Sequence, residues 1–282
     1  MALPTSGPIS LADIAAEFGG STPHSLSEYY GAASGVPASG TIDFADFYGT
    51  SAIPPDPIAS GLLFNLDARR SSSWPGSGST WYDTTSNNRN CSLKNGPTGG
   101  TDEIIFDGSN DYGQYSNQSW IPRLTNPFSA ESYVYINSFT FGSWNTNIRL
   151  MFSKTQSSSQ AMSLGFEQQS NGNVFMIANT NNGGNLNESY DMGPATNWLQ
   201  TYFHAAWTYN SNVVKFYLNG SLVKTTGGGK TFGSNSAPLY LMALDPSNSN
   251  GGWHAYVDGR LKFCRMYERA LTDAEVYHNS RA

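Results

Sequence analysis

Read by the spacing of its apolar positions, the chain changes character near residue 59. From there onward, short runs rich in Val, Ile, Phe, Tyr and Trp alternate with clusters of Gly, Asn, Ser and Pro, and no helical period appears until the last few residues. This alternation predicts strands at 62–67, 103–106, 130–137, 150–153, 162–168, 174–178, 202–210, 213–218, 221–225, 239–243 and 261–267. Strands so short and numerous pack as two sheets. The sharpest local signal is Val213 to Lys224, where Asn219-Gly220 supplies the two positive-φ residues of a type I′ turn between alternating strands. Thr272-Asp-Ala-Glu275 is a capping box that opens a closing helix of about two turns, through Asn279.

The first 50 residues follow another rule. Leu3-Pro-Thr-Ser-Gly-Pro-Ile-Ser-Leu-Ala-Asp13 recurs as Val36-Pro-Ala-Ser-Gly-Thr-Ile-Asp-Phe-Ala-Asp46, and Ser25-Leu-Ser-Glu-Tyr-Tyr30 repeats the second half of the unit between them. Each copy sets an acid three residues after a capping side chain: Ser10 and Asp13, Ser25 and Glu28, Asp43 and Asp46. The cap accepts from backbone N–H groups of the first turn, and the acid reaches back towards the positive helix end. Three very short helices are expected, stopped at Gly19, Gly31 and Gly49. A module of this size has little core of its own, so it is expected to pack on its own sandwich or on another protein. Pro54, Pro55 and Pro57 make residues 51–58 a stiff linker, which gives a module at 1–50 and a sandwich at 59–282.

Composition narrows the function. Charged residues are 13%, about half the usual share, and the net charge is −6 with no Lys/Arg cluster, which argues against nucleic acid. No run reaches the roughly 18 apolar residues of a membrane span, so no membrane insertion is expected. The beginning, Met1-Ala-Leu-Pro, shows no basic region followed by an apolar one, so a cytosolic origin is expected.

Two resemblances attach to these residues. The pattern Leu-Pro-x-Ser-Gly-x-Ile-Ser-Leu-x-Asp, followed by Ser-Leu-Ser-Glu-Tyr-Tyr and ending in Phe-Tyr-Gly, resembles the N-terminal module of structural proteins of marine bacteriophages. Over about 220 residues, a series of segments in order resembles the laminin G-like, concanavalin A-like jelly roll. They include Gly61-Leu-Leu-Phe-Asn-Leu-Asp-Ala68, Phe106-Asp-Gly-Ser-Asn-Asp-Tyr112, Phe203-His-Ala-Ala-Trp-Thr-Tyr209 and Met266-Tyr-Glu-Arg-Ala-Leu-Thr-Asp-Ala-Glu275. The implied fold is all-β: a two-sheet antiparallel jelly-roll sandwich preceded by a small module of short helices. One departure is Lys262-Phe263, where the family often carries an Asp-Glu pair, so any role of those acids is not inherited.

Catalytic chemistry is hard to find. Glycoside hydrolysis needs two paired carboxylates, yet Glu131, Glu167 and Glu188 each stand alone in sequence. His24, His204, His254 and His278 lack metal-ligand spacing, and His204 reads as a satisfied structural histidine in a strand. No enzyme is expected. Asp107-Gly-Ser-Asn110-Asp111 offers hard oxygen ligands for calcium, or else forms a turn in which these side chains bond their own backbone, the reading favoured here. Cys91 and Cys264 are either two reduced buried thiols or one bridge. Stacking on a sugar needs an aromatic plane beside amide side chains, which makes Trp120, Trp144 and Trp253 candidates, each against the plain alternative of rim packing.

These readings converge on a bacteriophage virion protein, a tail or head fibre or decoration. It would be assembled in the host cytoplasm, anchored to other virion proteins through residues 1–50, homo-oligomeric, and would present the sandwich to host surface glycans. The alternatives are a purely structural virion protein that binds no sugar, and an exported bacterial lectin.

Overall fold

The computed structural model describes all residues except 1–2, 34–35, 51–55, 101, 117–119, 122–126, 140–147, 157–158, 181–185, 234 and 247–254. Trp144, Trp253 and most of the proline linker lie outside the described residues. The chain divides into two compact units, Met1–Asp56 and Pro57–Arg281. No helix among the described residues is long and apolar enough to cross a membrane.

The first unit is built on its repeat. Helix α1 (Leu11–Phe18) starts at Ser10, whose Oγ accepts from Asp13 N at 3.2 Å while the Asp13 carboxylate accepts from Ser10 N at 2.8 Å. The same box recurs at Asp43 and Asp46, ahead of the single 3-10 turn Phe44–Phe47. It fails before the turn Leu26–Tyr29, because Glu28 instead accepts from Ser21 N at 2.9 Å and pairs with His24 Nδ1 at 3.1 Å. The residue after each acid, Ile14, Tyr29 or Phe47, is buried, and Phe18 packs on both rings. Three turns that each donate one interior side chain thus give this unit a core of its own, contrary to the expectation from its size. The two Pro-x-x-Gly segments are held alike. Gly49 N donates to Pro4 O and the Tyr48 hydroxyl to Gly7 O, while Gly31 N donates to Pro37 O and the Tyr30 hydroxyl to Gly40 O.

The second unit contains strands β1 (Leu62–Asp67), β2 (Thr80–Trp81), β3 (Cys91–Lys94), β4 (Thr98–Gly99), β5 (Ile104–Asp107), β6 (Tyr112–Tyr115), β7 (Phe128–Ile136), β8 (Ile148–Gln156) and β9 (Ser159–Gln168). It continues with β10 (Asn173–Asn179), β11 (Asn187–Pro194), β12 (Tyr202–Asn210), β13 (Val213–Leu218), β14 (Ser221–Thr225), β15 (Leu239–Leu241), β16 (Ala243–Leu244), β17 (Ala255–Tyr256), β18 (Asp258–Tyr267) and helix α2 (Asp273–Asn279). One sheet runs β14-β13-β12-β7-β18-β5-β4 with β1 also on β18, and the other runs β11-β10-β9-β8-β15-β6-β3-β2. The pairings between these strands are antiparallel, as the jelly-roll resemblance implied. Asn219 and Gly220 both take positive φ in the β13–β14 turn, and the Gly220 position has no room for a Cβ beside Ser280. The strands missed by periodicity are two to four residues long or, like β11, an edge rich in polar residues.

Alternate residues of the two sheets interleave to form the main core. Phe203, Ala205, Trp207 and Tyr209 of β12 point inward, as do Phe128, Ala130, Val134 and Ile136 of β7. In β18 the inward set is Leu261, Cys264 and Met266, a spacing that strict alternation forbids; a register shift between Leu261 and Phe263 absorbs the extra residue. Cys91 and Cys264 are buried free thiols, so the bridge is not formed. Burial pushes the Cys91 thiol up to about 12, and the Cys264 thiol well above its ordinary value.

The bulge also turns Phe263, Arg265 and Tyr267 to the opposite face of the sheet, beneath α2. There Arg265 is fully buried between two carboxylates, Asp67 at 3.7 Å and Glu131 at 3.5 Å, with Nε donating to Asn65 Oδ1 at 2.7 Å. Asn279, at the end of α2, accepts from Arg265 and from Ile58 N, and donates to Glu131 and to the Tyr267 hydroxyl. Burial acts to raise the Asp67 pKa, but the Arg69 hydrogen bond and the charges of Arg69, Arg265 and Arg70 bring it below the ordinary value. Glu131 is therefore not an isolated acid but part of a sealed cluster. His204 Nε2 lies 3.4 Å from its Oε2 without hydrogen-bond geometry, and neither ring nitrogen has a hydrogen-bond partner among the described residues. The histidine is buried in its strand as a structural one, but its ring is held by packing beside Glu131 and on Phe263, centroids 5.9 Å apart, rather than by the hydrogen bonds expected of it.

Two outcomes follow from this packing. Arg265→Met strips buried Glu131 of its cation, while Asp67 keeps Arg69 and Arg70, and should cost about 3–5 kcal/mol in urea denaturation, partly recovered by adding Glu131→Gln. At α2, the hydrogen bond from Arg269 holds Glu275 down to about 2 against burial, which acts to raise it. A carboxylate with a depressed folded-state value stabilises at neutral pH, so Glu275→Gln should lower Tm at pH 7, and the difference should close as pH falls from about 4.5 to about 2.

Candidate functional site

The outward face of the β11–β2 sheet carries one transverse row of polar positions. Cross-strand partners align Thr80, Ser92, Gln114, Tyr240, Ser153, Ser163, Asn179 and Asn187, one from each strand in sheet order. Their neighbours along the strands, such as Trp81, Leu93, Tyr115, Leu239 and Phe152, point into the core. The middle of the row is covered: Ser153 Oγ donates to Ala243 O of the β16–β17 hairpin, and Leu244 of that hairpin packs on Leu150 and Ile177. At the β3–β6 end, Ser92 is exposed and Gln114 half-buried.

That open end is a depression of about 380 Å³ lined by Asn87, Asn88, Arg89, Asn90, Ser92, Gln114, Tyr115, Ser116 and Trp120. Buried Asp83 shapes its loop wall: its carboxylate accepts from Asn65 N, Thr85 N, the Thr85 hydroxyl and Arg89 N. Asn87 is pinned through its amide to Leu62 O and Leu63 O, and Asn90 Oδ1 accepts from Asp83 N. Trp120 stands edge-on to Tyr115 and Phe64, with ring centroids at 5.2 and 6.1 Å, and the Arg89 guanidinium lies 4.6 Å over its ring. Trp120 thus packs on the rim and lines the depression as well. Tyr112, Tyr240 and Tyr256 form an aromatic cluster on the same face, with Tyr112 to Tyr240 at 5.9 Å.

Of the three tryptophans singled out by sequence, the structure puts Trp120 at this site. Reading tryptophans alone missed Ser92, Gln114, Arg89 and the Asn87–Asn90 loop. The signal was the buried-exposed alternation in Cys91-Ser-Leu-Lys94 and Tyr112-Gly-Gln-Tyr115, too short to register as strands. A second depression, of about 640 Å³ beside α2, is lined in part by Lys215 and Asp273, which pair with each other at 2.8 Å.

The calcium candidates are engaged with their own turn. Asp107 Oδ1 accepts from Ser109 N at 2.8 Å and Asn110 N at 3.4 Å, and Asp111 Oδ2 accepts from Asp107 N at 3.2 Å. Among the described residues, no three His, Cys, Asp or Glu side chains gather as metal ligands.

A family model described as concanavalin A-like lectin/glucanases superfamily matches residues 107–277. No curated protein matches the chain. Among solved structures, Trypanosoma rangeli sialidase in complex with sialic acid aligns at 15% identity and a TM-score of 0.55, over 83% of this chain and 34% of the sialidase. The chain thus spans about a third of that enzyme. Domain 4 of a GH43 extracellular arabinanase from Geobacillus stearothermophilus, in complex with arabinotriose, aligns at 18% identity and a TM-score of 0.50, over 78% of this chain and 98% of that domain. The receptor binding domain of botulinum neurotoxin C/D mosaic serotype aligns at 13% identity and a TM-score of 0.50, over 78% and 51%. At these identities the likeness is one of fold.

With its carboxylates bound to backbone N–H groups, the 107–111 turn should be independent of cations. Adding calcium or a chelator is expected to leave Tm unchanged; a rise with calcium would restore the metal reading.

Proposed function

The chain belongs to the concanavalin A-like lectin/glucanases superfamily, and from that membership we propose that its sandwich is a glycan-binding module rather than an enzyme. The observation that carries this reading is the depression at Trp120, where amides, a hydroxyl and an aromatic edge converge without a carboxylate among the lining residues. Amides and hydroxyls pair with sugar hydroxyls, and the aromatic edge adds an apolar boundary. Hydrolysis would need two accessible carboxylates, yet Asp67 and Glu131 are buried on Arg265.

The finer reading is a bacteriophage virion protein, a tail or head fibre or decoration, whose residues 1–50 anchor it to the particle as a homo-oligomer while the sandwich contacts host glycans. It is supported by the repeated module and by the exposure on it of Tyr30, Phe44 and Tyr48, an aromatic surface suited to a protein partner. Immunogold electron microscopy of purified particles tests that role, and absence of label from the particle would sink it. The sandwich reading is tested on a glycan array with the full chain. A specific hit is expected, and Gln114→Ala should weaken it roughly tenfold, about the effect of losing one hydrogen-bonding group, with Tm unchanged.

A further inference from the structure

Resting on the glycan-binding reading, we infer that the depression selects acidic glycans, oligosaccharides whose sugars bear carboxylate or sulfate. The chain has 21 acidic against 15 Lys and Arg residues, so cations readily find partners. Several elsewhere on the sandwich do: Arg260 pairs with Glu103 at 2.9 Å, Lys262 with Asp102 at 2.7 Å, and Lys224 with Glu188 at 2.8 Å. Among the described residues Arg89 and Lys94 enter no ion pair; Arg89 lines the depression, and Lys94 follows its lining residue Ser92 along β3. In a chain with excess negative charge, two cations without an ion pair on one strand and its entering loop mark where a negative ligand is welcome.

The geometry at each cation suits an anion. The Arg89 guanidinium sits 4.6 Å over the Trp120 ring, and one of its terminal nitrogens, Nη1, donates to Leu63 O at 3.0 Å. This fixes the planar fork of donors that matches a carboxylate or sulfate. Asp83, the acid nearest in the loop, accepts from the Arg89 backbone rather than its side chain, and its carboxylate is taken up by the loop. Lys94 stands two residues beyond Ser92, on the same face and opposite Tyr112, half-buried. Arg89 and Lys94 are five residues apart, about 16 Å along extended chain, farther than one sugar ring spans. The pair therefore favours an oligosaccharide that repeats its acidic group. Ser92 and Gln114 lie between the two and would bond neutral hydroxyls.

The test uses matched probes and the full chain in calorimetric titration: oligogalacturonate beside its carboxyl-reduced form, and a chondroitin sulfate oligosaccharide beside its desulfated form. At least one acidic member should bind roughly tenfold or more tighter than its neutral partner, with the advantage shrinking as salt rises from about 0.05 to 0.5 M. Lys94→Gln, at a side chain with no hydrogen bond or ion pair among the described residues, should erode the preference. Arg89→Lys should retain more of it than Arg89→Gln, and Gln114→Ala should weaken both members of a pair alike. Equal affinity within every pair, or an unaltered preference in Lys94→Gln, overturns the acidic-ligand inference and leaves glycan binding standing. No binding to any of these probes, together with a blank glycan array, overturns both.

Discussion

The sandwich depends on one guanidinium kept away from water. Arg265 lies on the face of its sheet that an exposed strand would show to solvent, yet it is sealed under α2 with a carboxylate on either side. A charge in that position is tolerable only when its partners hold fixed places. The requirement specifies several features together: the β18 bulge that turns Arg265 outward from the core, the seat of β1 that brings Asp67 and Asn65, and the docking of α2 that brings Asn279. Arg265→Met is therefore a test of the whole face rather than of a single contact.

The opposite sheet is organised by contrast, because its outward face is polar and only partly covered. The β16–β17 hairpin closes over the centre of the row through Leu244, and the β3–β6 end stays open. A rigid, buried-charge face on one sheet and a hydroxyl and amide face on the other give the module a stiff scaffold carrying a wettable surface. Binding sites are commonly built this way.

Much of this was legible in the sequence where the signal was local. The Asn219-Gly220 hairpin, the Thr272 and Glu275 box and the long strands β12 and β13 each follow from residues within a dozen positions. What escaped was non-local. The bulge at Lys262 breaks the alternation that reveals strands, and Glu131 read as a lone acid because its partners Arg265 and Asn279 lie more than a hundred residues away. The site was half legible: a tryptophan was a fair guess at Trp120, but the row through Ser92 and Gln114 exists only once β3 and β6 pair. The small core of the first unit escaped likewise, since Ile14, Tyr29 and Phe47 look unremarkable until the three turns meet.

The bond from Ile58 N to Asn279 Oδ1 ties the entry of β1 to the end of α2. Opening the start of β1 therefore has to break this bond as well as the ladder with β18, which joins fraying of the strand to undocking of α2.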